Sequence, residues 1–195
     1  MSLNLDQIEK NWSVFEKLCE RFSDNNLSKL LSALGERIST CPASSRISMY
    51  GAYPGGLIEH VLDVTSSLRK INEAHNLGLD TSSILKVGLF HDLGKIGDLD
   101  RDYFVSQDSN WHRETLGQMF KFNEDLEKMS ISHRSLFLLQ SFNIQLTNDE
   151  WIAIQIASGS HFEENRFYVG SEPTLALALQ QAKSMTIHRS KLGNS

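Results

Sequence analysis

The chain is short of cysteine, of basic excess and of long apolar runs, and each shortage closes off a class of protein. Two cysteines in 195 residues, Cys19 and Cys41, are too few for a disulfide framework and form no C-x-x-C pair, so they read as buried thiols in a reducing compartment. With 19 Lys and Arg against 24 Asp and Glu, the formal charge of -5 argues against a broad basic surface for duplex nucleic acid and favours a local pocket for a small phosphorylated ligand. No stretch approaches the roughly 18 apolar residues of a spanning helix, and the opening "MSLNLDQIEKNW" is polar, so a cytoplasmic protein with no membrane segment is expected. Strand signals are scarce as well, with "RFYVG" alone looking extended. There is no repeat, linker or low-complexity segment, and the length suits one domain with a real core.

Helical periodicity is abundant. Leu5, Ile8, Trp12, Phe15, Leu18 and Phe22 recur at helical spacing, and after the "SDNN" break Leu27, Leu30, Leu31, Leu34 and Ile38 repeat the pattern. The aperiodic "TCPASSRISMYGAYPGG" then leads into a third stripe of Leu57, Val61, Val64, Leu68 and Ile71. A fourth helix is expected from Ile84, capped by Thr81-Ser82-Ser83 and stopped by Gly94, followed by a long loop over 96–111 that should rim the pocket beside His91 and Asp92. Further helices are expected over 114–129, 132–143, 147–158 and 172–188, the third opened by the capping box Thr147-x-x-Glu150 and the last by Ser171-Glu172-Pro173. The fold class is therefore all-α.

Two of these stripes carry chemistry. His60 lies three residues after Leu57 and four before Val64, so it points inward, and His91 sits seven after Ile84 and four after Val87 with Asp92 beside it. An inward histidine alone is more often a hydrogen-bonded core residue than a ligand. The conjunction of an apolar run, His91-Asp92, Leu93-Gly94-Lys95 and an inward His60 one helix earlier points instead to a divalent metal ion, with imidazole and carboxylate ligands suited to Mn, Fe, Ni, Zn or Mg.

"GGLIEHVLDV" followed by "LKVGLFHDLGKIGD" resembles the HD superfamily of metal-dependent phosphohydrolases, and "AYPGGLIEH" is similar to the branch holding bacterial 3′ to 5′ exoribonucleases and related phage and bacterial proteins. The resemblance is strong over 53–98 and weak beyond. It implies a helical HD domain over 46–190, with the helical pair in 1–45 packed on it, in one bundle of about seven to eight helices. It also implies His60, His91 and Asp92 as metal ligands, Asp92 and Lys95 as catalytic groups, and Lys95 facing a substrate phosphate.

Two departures stand out. Such families carry a fourth ligand Asp on the last helix in a pattern like L-x-L-x-x-A-D, whereas "LALALQQAKSM" places Lys183 there and no Asp follows Asp149; Gln180, one turn earlier, offers a neutral oxygen. The exoribonuclease-like branch often has a His-His pair where this chain has Tyr50-Gly51. His133 and His161 are candidates for a second metal, while His75, His112 and His188 read as surface groups. Arg46, Arg113 and Arg134 read as ordinary surface cations, although Arg46 and Arg113 are placed where either could clamp a phosphate.

The function expected from this reading is a metal-dependent phosphohydrolase acting on a nucleotide or a short oligonucleotide, single-stranded RNA included. The alternative is a catalytically impaired module that binds a phosphorylated ligand, with Lys183 supplying fixed positive charge in place of the metal. A purely structural helical protein ranks last, because it leaves the buried His-His-Asp set without a purpose. Oligomeric state stays open.

Overall fold

The first two helices, α1 (Leu5–Glu20) and α2 (Asn25–Thr40), form where the two apolar stripes were read, and Asp24 caps the second by accepting from the Asn26 N–H at 2.8 Å. The structure is a computed structural model and describes residues 5–192, so residues 1–4 of the expected N-terminal pair lie outside the described residues. Both helices pack on α3 (Gly56–His75), and Phe15 meets Phe90 edge-on with ring centroids 5.8 Å apart. Arg37 adds a polar tie from α2 to the following loop: its guanidinium donates to the carbonyls of Ile96, Asp98 and Leu99 and, at 2.6 Å, to Asp102.

The fourth helix, α4 (Thr81–Phe90), is capped by Asp80, whose carboxylate accepts from the Ser83 N–H at 3.0 Å, and not by the Thr81-Ser82-Ser83 run. It also stops at Phe90, earlier than Gly94, because the chain turns through His91 and Asp92 into a 3-10 turn over Leu93–Ile96. Gly94 serves a different purpose. A Cβ there would collide with the Ile131 carbonyl and come within 2.9 Å of the Ser135 N, so glycine lets this turn press against α6 (Ile131–Ser141).

The region from 96 to 130 departs most from expectation. Instead of a plain loop and a helix over 114–129, it contains β1 (Phe104–Ser106), α5 (Asn110–Leu116) and β2 (Phe120–Phe122), the strands pairing antiparallel with Phe104 opposite Phe122. Gly117 ends α5 at a φ of 59°, a left-handed conformation that favours glycine, and Phe120-Lys121-Phe122 then alternates with the period of a strand. "RFYVG" is not extended as expected: most of it lies in a 3-10 turn over Glu163–Tyr168.

Helix α7 (Asn148–Gln155) begins at the expected capping box, with Thr147 and Glu150 each accepting from the other's backbone N–H. The last helix, α8 (Thr174–Leu192), packs against α3 and α7. Its inward face carries Ala176, Leu179, Ala182 and Lys183, the alanines allowing close approach. The result is an all-α bundle, with eight α-helices and one small sheet among the described residues. None of those helices is long and apolar enough to cross a membrane.

Candidate metal centre

Four elements converge on one buried carboxylate. His60 comes from the middle of α3, His91 and Asp92 from the turn after α4, Lys95 from the 3-10 turn, and Lys183 from α8; all five are buried. The hydroxyl of Ser135 holds the turn in place, accepting from the Gly94 N–H at 2.8 Å and standing 3.1 Å from the His91 carbonyl and 2.9 Å from that of Ile131.

His91 Nδ1 lies 3.0 Å from the carbonyl of Gly88, which can only accept, so Nδ1 carries the proton and Nε2 presents a bare lone pair. That lone pair faces Asp92 Oδ2 at 3.7 Å, and His60 Nε2 lies 3.7 Å from the same oxygen. Neither Nε2 has a hydrogen-bond partner among the described residues. Two unpartnered imidazole nitrogens beside a carboxylate suit a cation between them, and one ligand atom from each of His60, His91 and Asp92 lies within 4.8 Å of the others. The three residues therefore form a group that could hold a metal ion.

Burial keeps the imidazoles in the neutral form that ligation needs. Loss of solvation, joined by the nearby Lys95 ammonium, pushes His60 well below its usual value, and loss of solvation chiefly lowers His91 to about 4. For Asp92 burial acts in the opposite direction, but the ammonium groups of Lys183 and Lys95 outweigh it and hold the carboxyl well below the ordinary range.

Both ammonium groups are paired with the carboxylate. Lys183 Nζ lies 2.7 Å from Asp92 Oδ1, and Lys95 Nζ lies 2.7 Å from Oδ2. Lys95 also donates to the Tyr50 hydroxyl at 3.0 Å, and the Tyr50 ring lies over His60 with centroids 4.4 Å apart. One carboxylate thus faces two ammonium groups and two neutral imidazoles, leaving a buried net charge of +1. The two Nε2 atoms stay unpartnered even so, which distinguishes this cluster from a completed ion-pair network.

The remaining expected groups lie elsewhere. Arg46 is exposed, and its backbone bridges to Gln118; Arg113 is exposed and donates to the Gln107 carbonyl at 3.0 Å and to Asn110. Among the described residues no hydrogen bond or ion pair joins either arginine to the cluster. Gln180 donates to the Ile156 carbonyl at 2.9 Å, and His133, His161, His75 and His188 are exposed. Arg134, read as a surface cation, is in fact buried: it donates to the Glu127 carbonyl at 2.7 Å and lies over the Tyr103 ring. The 96–111 segment borders a cavity of 120 Å³ lined in part by Cys41, Lys95, Ile96, Asp102 and Phe104; of the five buried residues of the cluster Lys95 alone lines it, so the expected rim around His91 and Asp92 is not formed by this cavity.

Three groups that shape the site were missed in the sequence: Tyr50, Ser135 and Arg37. Tyr50 had one signal, its place in the motif where the family that the motif resembles often carries histidine, and the other two had none. Compared with family models, curated proteins and solved structures, the chain finds no match, so the reading of this site rests on its own residues.

Proposed function

We propose that the chain is a metal-dependent phosphohydrolase of HD type, acting on a phosphoester of a nucleotide or short oligonucleotide in which a divalent ion is held by His60, His91 and Asp92. The observation that carries this reading is the convergence of two orphaned imidazole Nε2 atoms on Asp92 Oδ2. A divalent ion at such a site supplies Lewis-acid polarisation of a phosphoryl oxygen and acidifies water at its open positions. The protein groups do the rest. Neutral His60 and His91 offer lone pairs without a proton to lose, and Ser135 fixes the turn that aims His91. Lys95, whose ammonium is stabilised above its ordinary pKa by Asp92 and Tyr50 against the effect of burial, stays charged and neutralises the phosphoryl oxygens as negative charge develops on them. Tyr50 lies over His60 and takes a hydrogen bond from Lys95, so it covers the reacting region on that side.

A second reading, a non-hydrolysing module that binds a phosphorylated ligand, is favoured by one contact. Lys183 already neutralises Asp92, and the cluster's positive charge would attract an anion without any metal. A panel of nucleotides and short oligonucleotides, assayed for phosphate and nucleoside release with Mn and without added metal, separates the two. Metal-dependent turnover that His91→Ala abolishes supports hydrolysis; nucleotide binding with no turnover under any metal supports the module.

A further inference from the structure

Lys183 is buried in α8, and its ammonium is the only one that reaches Asp92 Oδ1 among the described residues. Lys95 serves the other oxygen and keeps a second partner in Tyr50. The two lysines therefore differ: Lys95 stays anchored if the carboxylate is shared, whereas Lys183 has Asp92 as its one ion-pair partner among the described residues. Adding a divalent ion to this arrangement would raise a buried charge of +1 to +3, which low-dielectric surroundings oppose strongly. An entering phosphate dianion reverses the balance, since it brings the total back to about +1 and offers Lys183 a new acceptor.

Resting on the metal-centre reading above, we propose that Lys183 is a latch that competes with the divalent ion for Asp92 and releases the carboxylate when a phosphate anion enters, so that metal and substrate bind cooperatively. The ammonium of Lys183 donates to Asp92 Oδ1. When the anion arrives, Lys183 transfers to its oxygens and frees Asp92 Oδ1, so that the carboxylate can share its charge between Lys95 and an ion held with His60 and His91. Neither cation nor anion is retained well without the other, which ties metal loading to the presence of substrate. By thermodynamic reciprocity the metal must tighten anion binding by the same factor.

The test is titration calorimetry of Mn into chelator-treated, dialysed protein at pH 8, with and without methylphosphonate as a non-hydrolysable dianion. For wild type, the analogue should tighten Mn binding about tenfold, within the usual span of coupling between sites. In Lys183→Met the cluster keeps a balanced Asp92–Lys95 pair, so the fold should survive; Lys183→Gln provides a second, polar replacement. Both variants should bind Mn about tenfold more tightly than wild type without the analogue, and the analogue should then help by less than about threefold. The latch is overturned if wild type binds Mn equally with and without methylphosphonate, or if both variants match wild type. In either of those outcomes the metal centre itself stands, whereas failure of all three proteins to bind Mn under any condition removes both the latch and the hydrolase reading.

Discussion

Replacing Asp92 with asparagine keeps the shape of the side chain and deletes the charge that two buried ammonium groups share. At an effective dielectric of 20, each 2.7 Å contact corresponds to 332/(20 × 2.7), about 6 kcal/mol of attraction before desolvation is counted. Desolvation of the ions offsets much of this, and removing one partner of a buried pair costs about 3–5 kcal/mol in practice. Here two cations are stranded, so Asp92→Asn should lose about 5 kcal/mol, at the upper end of that range. For a chain of 195 residues this corresponds to a fall in Tm of about 10–20 °C. Urea unfolding followed by circular dichroism at pH 7, with chelator present so that metal loss plays no part, measures it directly. The double variant Asp92→Asn/Lys183→Met should recover more than about 1 kcal/mol, because one stranded ammonium is gone. A loss below about 1 kcal/mol for Asp92→Asn would refute the reasoning and show that the ammonium groups reach water at little cost.

Acid should destabilise the metal-free protein in a defined window. The unfolded chain protonates His91 below about 6.5 while the folded imidazole resists until about 4, so stability is full above 6.5 and falls as pH drops to 4. The shift amounts to about 3 kcal/mol for this residue, and unfolding free energies measured from pH 7.5 to 4 that stay flat would contradict it. Gly94→Ala should cost about 1–3 kcal/mol by thermal melting, since the new methyl meets the Ile131 carbonyl, and it should lower Mn affinity by shifting the turn that carries Asp92. Cys19 and Cys41, buried and with thiol pKa values pushed up to about 12 chiefly by burial, should resist Ellman's reagent at pH 8 in native protein and react fully after denaturation.

Much of this was legible because helical spacing reports direction. The stripes through Leu57, Val61 and Val64 and through Ile84 and Val87 put His60 and His91 inside the bundle, where the structure has them. The resemblance of "LALALQQAKSM" to the family's last-helix pattern put Lys183 at the place of a fourth ligand, and in the structure its ammonium meets Asp92 from the buried face of α8. The strand pair was not legible, because three-residue strands are too short for a period of two to emerge over 104–106 and 120–122. Arg134 was misjudged because charge alone argues for solvent, and only the fold brings the Glu127 carbonyl and the Tyr103 ring to its buried guanidinium. Ser135 is one hydroxyl on an ordinary helix until the turn containing Gly94 is laid against it.

The central claim is that His60, His91 and Asp92 hold a divalent ion once an anion draws Lys183 away. Anomalous diffraction at the manganese edge, from crystals equilibrated with Mn and methylphosphonate, tests it most directly. The account predicts one strong peak bonded to His60 Nε2, His91 Nε2 and an Asp92 oxygen, with the Lys183 ammonium turned onto the phosphonate. The absence of any peak among these three residues, with Lys183 still on Asp92 Oδ1, would contradict it.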